Sequence, residues 1–148
     1  MSKAYEVTLL NSLIKTTLDS MQGFRDAAED ARDTQFALLF DGLAEDRRRA
    51  ANLMQERVRE HGGTPEEEGS LLSPAHRTFM SLRDAFAGGD DRAIIEEVER
   101  GETYLRAKFE EARNDERLSP STLLVIGDAY DVVRRGQEWA DSLRHNLA

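Results

Sequence analysis

The chain contains no cysteine, which excludes disulfide frameworks, thiolate zinc sites, iron–sulfur clusters and cysteine nucleophiles. That absence suits a reducing compartment. No apolar run approaches the roughly 20 residues needed to span a bilayer. The N-terminus also lacks the basic start and apolar stretch of a signal peptide, so the cytoplasm is the expected location. Positive charge is scarce: 20 Lys and Arg stand against 29 Asp and Glu, a net charge of −9. Nucleic acids and anionic membranes reward clustered cations, so neither is expected as a main partner. The run Arg47-Arg48-Arg49 does not change this, because successive helical side chains do not share a face. There is no phosphate-cradling glycine loop. Asp90-Asp91 lacks the glycine and terminal glutamate of an EF-hand and reads as a helix cap. Glu66-Glu67-Glu68 reads as a solvated loop.

What the sequence does contain is helical periodicity. A first helix is expected over 4–31, with Leu10, Ile14, Met21, Phe24 and Ala28 on one stripe. A second, over 34–61, carries Phe36, Leu39, Phe40, Leu43, Ala50, Met54 and Val58. It stops at Gly62-Gly63, residues suited to a left-handed cap, with Pro65 behind them. So short a break between long helices implies an antiparallel hairpin. Ser73-Pro74 starts a shorter helix over 74–87, with Phe79 and Phe86 on one side and Gly88-Gly89 as its stop. A helix over 91–114 follows on Ile94, Val98, Leu105 and Phe109. Ser119-Pro120 repeats the start signal for a last helix over 120–146. The expected fold is all-α: two antiparallel hairpins joined by a long crossover holding a short extra helix, the wiring of a ferritin-like four-helix bundle. A plain five-helix array is the alternative.

Several motifs point the same way: Gly23-Phe-Arg-Asp-Ala-Ala-Glu29, Gly62-Gly-Thr-Pro65, Gly69-Ser70, His76-Arg77 and Glu99-Arg-Gly-Glu102. Together and in this order they resemble a bacterial family of ferritin-like four-helix-bundle proteins of unknown function, distant structural relatives of ferritin and rubrerythrin. The resemblance implies the fold and carries no settled activity. Helix 4 departs most: Gln137 stands near a position where the family commonly has a histidine.

A ferritin-type di-iron or di-manganese centre takes a carboxylate from each of two helices and Glu-x-x-His from each of the other two. The three histidines, His61, His76 and His145, follow Val58, Ser73 and Ser142 at that spacing, so no Glu-x-x-His exists. At about 100° per residue, Arg25, Arg47 and Glu102 instead fall inside their apolar stripes, with Asp46 and Glu29 at stripe edges. The hairpin pairing puts Arg47 near the level of Ser20 and Met21. The expected crossover puts Arg47 level with Glu102, and Glu102 level with Tyr130. A polar layer of Arg25, Arg47, Glu102, Asp46 and Tyr130 is therefore expected at mid-bundle, built on an Arg47–Glu102 ion pair. An ion-pair network that fixes helix register is one reading of this layer. A second is a displaced iron or manganese site on Glu29, Asp46, Glu99 and Glu102, which two arginines at the same level oppose. A third is a small anion held by Arg25 and Arg47.

Helix 4 carries a second apolar stripe through Val125, Val132, Trp139 and Leu143. Either the short crossover helix covers it, or it is a surface for a protein partner or a second copy. The sequence thus leads to a non-catalytic binding or structural bundle with no resident cofactor. Its association with stress rests on what ferritin-like proteins do in general. A metal-dependent oxidoreductase or storage protein using a non-standard carboxylate site is the competing class, and an adaptor working through helix 4 is the third.

Overall fold

The computed structural model describes residues 2–30, 34–69 and 91–147. Four helices form: α1, Lys3–Asp30; α2, Thr34–Glu60; α3, Asp91–Arg113; and α4, Pro120–Leu147. No strand occurs among the described residues, and none of these helices is long and apolar enough to cross a membrane. The helix expected over 74–87, with Phe79, Phe86 and the Gly88-Gly89 stop, lies outside the described residues.

The helix ends follow local chemistry. Gly62, at φ 76°, takes the left-handed conformation that an L side chain resists. Its N–H donates to the Arg59 carbonyl at 2.9 Å, and the Gly63 N–H donates to Val58 at 3.0 Å. These two bonds form a Schellman cap on carbonyls that α2 would otherwise leave open. A Cβ on Gly63 would stand 2.9 Å from Val7, so the chain can close onto α1 only without a side chain there. At the start of α4, the Ser119 hydroxyl accepts from the Thr122 N–H at 3.3 Å, and Pro120 needs no donor.

Beyond Gly63 the chain is strapped along α1. Asn11 donates to the Thr64 carbonyl at 3.1 Å and accepts from the Glu66 N–H at 2.9 Å. Gln55 of α2 donates to the Glu66 carbonyl at 2.8 Å. Gly69 then passes so close to the buried Asp19 that a Cβ there would run into its carboxylate. This contact gives the Gly69-Ser70 motif a structural reason at its glycine.

Packing sets the cyclic order α1, α2, α4, α3, leaving α1 and α4 on one diagonal and α2 and α3 on the other. Directions follow from contacts at one end. Glu6 near the start of α1 meets Thr122 near the start of α4, and His61 just after α2 meets Glu6. Tyr5 meets Asp115 just after α3. Diagonal partners are thus parallel and neighbours antiparallel. The core inside is continuous: Leu10, Ile14, Phe40, Met54, Val58, Leu105, Phe109 and Ile126 have no exposed surface. Burying each such side chain is worth about 1.5–3 kcal/mol. Phe24 stacks on Phe40 at 5.7 Å and Phe109 on Tyr130 at 5.5 Å, tying α1 to α2 and α3 to α4.

Candidate functional site

Arg47 points into this core from α2 with no exposed surface. Alanines 44, 50 and 51 on the same helix are buried around it, leaving room for a long side chain. Its guanidinium reaches the other three helices. Nε donates to Ser20 Oγ of α1 at 3.3 Å, and one terminal N–H donates to the Val133 carbonyl of α4 at 3.4 Å. The other terminal nitrogen donates to Glu102 Oε1 of α3. The Phe24 ring lies 5.3 Å below the guanidinium carbon, a cation–π contact in dry surroundings. Glu102 is equally buried, and its second oxygen, Oε2, has no hydrogen-bond partner among the described residues. Burial pushes the Glu102 carboxyl up; Arg47 pulls it down by charge and hydrogen bond without cancelling the rise.

The structure brings Arg47 and Glu102 together and leaves the rest of the expected layer elsewhere. Arg25 stands 38% exposed at the bundle edge, 4.0 Å from Glu45. It lies about 100° from Phe24, which takes the inward direction, so the long Arg25 stem carries its charge out to water. Asp46 turns to Arg49 on its own helix, and Glu29 is exposed. Tyr130 is buried, but its hydroxyl faces Glu110 at 3.4 Å and Arg113 lies over its ring. Burial first, and Glu110 after it, raise the Tyr130 hydroxyl. Glu99 is half-buried one turn from Glu102. No group of three or more His, Asp or Glu gathers as a metal cage among the described residues. The mid-bundle donor set is one carboxylate facing a guanidinium, a hydroxyl, a carbonyl and a phenyl ring, and it does not fit a divalent metal.

On helix α4, Val125, Val132 and Trp139 pack half-buried against the core, and the Leu143 side chain lies outside the described residues. Among the described side chains of α4, the large apolar one that is exposed is Leu124, at 67%. The side chain of Gln137 is also outside the described residues.

A second polar cluster, absent from the sequence reading, sits where α1 and α4 begin and α2 ends. Glu6 is 2% exposed and gathers four donors. The Ser119 N–H reaches Oε2 at 2.6 Å. His61 at 2.8 Å, Thr122 at 2.7 Å and the Ser119 hydroxyl at 3.2 Å all meet Oε1. Arg57 closes the cluster by donating to Thr122 at 3.1 Å and Ser121 at 2.7 Å. Burial works to raise the Glu6 carboxyl, but the hydrogen bonds outweigh it and hold it at about 2. A serine nucleophile needs imidazole on its hydroxyl. Here hydroxyl and imidazole both bind one carboxylate, an arrangement that clamps three chain segments and caps α4 with negative charge. One signal in the sequence did mark Glu6: it lies four residues before Leu10, on the buried stripe of its helix.

The described residues thus form an all-α bundle of four helices, tied inside by one buried ion pair and at one end by a carboxylate clamp. Residues 6–115 match the family described as Domain of unknown function (DUF2383), and the chain belongs to that family. No curated protein matches the chain.

Proposed function

We propose that this protein is a cytoplasmic, non-catalytic bundle of the ferritin-like type, a binding or structural protein in which a guanidinium takes the place of a di-metal centre. The parallel diagonal supports the ferritin-like wiring: α2 ends where α3 ends, so the connection between them joins opposite ends of the bundle. One observation carries the functional reading, namely the fully buried Arg47 held by Glu102, Ser20 and Val133 at mid-bundle. A cation fixed there competes for the carboxylate and repels a divalent metal. A stress-associated role follows only by analogy with ferritin-like proteins. A protein partner or second copy on the apolar stripe of α4 through Val125, Val132, Trp139 and Leu143 is the second reading.

The test is metal content after loading with Fe(II) or Mn(II) and desalting. The expected result is no stoichiometric metal in the wild-type protein. Stoichiometric metal that disappears in Glu102→Ala would overturn the proposal and favour an oxidoreductase or storage site on Glu29, Asp46, Glu99 and Glu102.

A further inference from the structure

Helix α4 packs on α2 and α3 and turns its outer face to solvent. Leu124, on that face, is one of three large apolar side chains exposed among the described residues. At about 100° per residue, Leu124, Asp128, Arg135 and Trp139 lie within about 30° of one line along the helix. Val125 and Val132 flank that line, half-buried against the core. The face is therefore apolar at both ends and charged in the middle. Asp128 and Arg135 are exposed and make no ion pair among the described residues, whereas Asp131 and Arg134 beside them meet each other at 3.8 Å.

The order along this line is self-complementary. Leucine, acid, base and tryptophan stand four, seven and four residues apart, so the spacing reads alike in both directions. Two copies of α4 laid antiparallel, with a two-fold axis between Asp131 and Val132, put Leu124 opposite Trp139 and Asp128 opposite Arg135. The symmetry makes each of these pairs twice. A parallel pairing in register would set like against like. An isologous interface needs such a patch, in which one residue meets a second and the second meets the first. The contact would run about 22 Å along the helix, at 1.5 Å per residue. Charge and spacing together single out a second copy of this chain as the occupant.

We propose that two copies of the chain dock antiparallel through the outer face of α4, Leu124 on Trp139 and Asp128 on Arg135. The proposal rests on the reading of α4 as a docking surface and names what it binds. It is independent of the mid-bundle ion pair, and metal content does not bear on it. A face one helix wide makes a small interface, so the dimer is expected to be weak.

Sedimentation equilibrium of the full chain from about 1 to 300 μM tests it. Concentration-dependent dimers are expected, and the chain's one tryptophan, Trp139, should shift its emission to the blue as they form. Asp128→Arg and Arg135→Asp each set like charges opposite one another twice, and each should weaken association about tenfold or more. The double change, Asp128→Arg with Arg135→Asp, restores opposite charges and should recover association to within about threefold. Leu124→Ser should weaken the dimer as well. All three positions are exposed, so every variant should keep the wild-type melting curve at the lowest concentration. A chain that stays monomeric throughout overturns the proposal, and so does a double change as weak as either single one. A dimer broken by Leu124→Ser but indifferent to both charge reversals overturns this register and leaves α4 as a docking surface. A dimer indifferent to all of these changes overturns both.

Discussion

Glu102 and Glu6 are both glutamates almost cut off from solvent, 3% and 2% exposed, yet their carboxyls move in opposite directions. Glu102 lies at mid-bundle with one cation on one oxygen, and burial raises it. Glu6 lies at the bundle end with both oxygens bonded, one of them to the N–H of Ser119, the residue that caps α4, and it is held at about 2. The difference separates charge from solvation. A guanidinium supplies charge, but in a deep site it does not replace all the water that the carboxylate gave up. Hydrogen bonds aimed at both oxygens do replace it. The mid-bundle pair is therefore costly to break and weakly stabilising as a whole, whereas the end clamp stabilises the fold outright.

The largest effect should come from breaking the pair on one side. Arg47→Ala leaves Glu102 buried without its cation and should cost about 3–5 kcal/mol in urea unfolding. The double change Arg47→Met with Glu102→Leu should recover most of that loss, because an apolar pair of similar volume often matches a buried ion pair. A near-neutral Arg47→Ala would break the comparison at its mid-bundle side. Next in size, Glu6→Gln removes the charge that four donors point at and should cost about 1–3 kcal/mol at neutral pH. Ser119→Ala takes away the α4 cap and one of those donors together, at about 1 kcal/mol.

The pH dependence sharpens the contrast further. A depressed carboxyl adds stability above its unfolded value, near 4.5, and loses it as pH falls toward about 2. Glu6→Gln should therefore flatten the acid limb of a stability–pH curve between those values. A raised carboxyl has the opposite sign: its contribution is complete below about 4.5 and is lost as pH rises through the folded value. Glu102→Gln should leave the acid limb in place. Equal flattening by both variants would show that the two sites do not differ as described.

Four helices were legible in the sequence because each carries an apolar stripe at helical spacing and a recognisable stop or start. Gly62-Gly63 and Ser119-Pro120 are the clearest of these signals. The meeting of Arg47 with Glu102 was expected as well, since the parallel course of the second and third helices in the expected crossover put both residues at one height and the wheel gave both an inward direction. Arg25 could not be placed that way. An edge position leaves a long side chain free to follow its charge outward, and periodicity resolves direction no better than one residue. The Glu6 clamp was illegible for another reason: its partners, His61 and Ser119, lie 55 and 113 residues away. A glutamate in a first helical turn is ordinary on dipole grounds alone. Its place on the buried stripe was the overlooked sign.

The diagonal geometry of Arg47 also bears on the order of folding. The glycine cap of α2 joins residues three and five apart, and contacts so local form early and fast, whereas the strap over Asn11 closes 53 and 55 residues. The guanidinium is different, since it finds Ser20, Glu102 and Val133 only after all four helices have closed around it. Contacts that need all four helices are expected to form after the transition state, so Arg47→Ala should speed unfolding and leave the refolding rate nearly unchanged in stopped-flow measurements. On that expectation Arg47 is a bolt thrown after the door has shut, and the lifetime of the closed bundle is where its loss should be read.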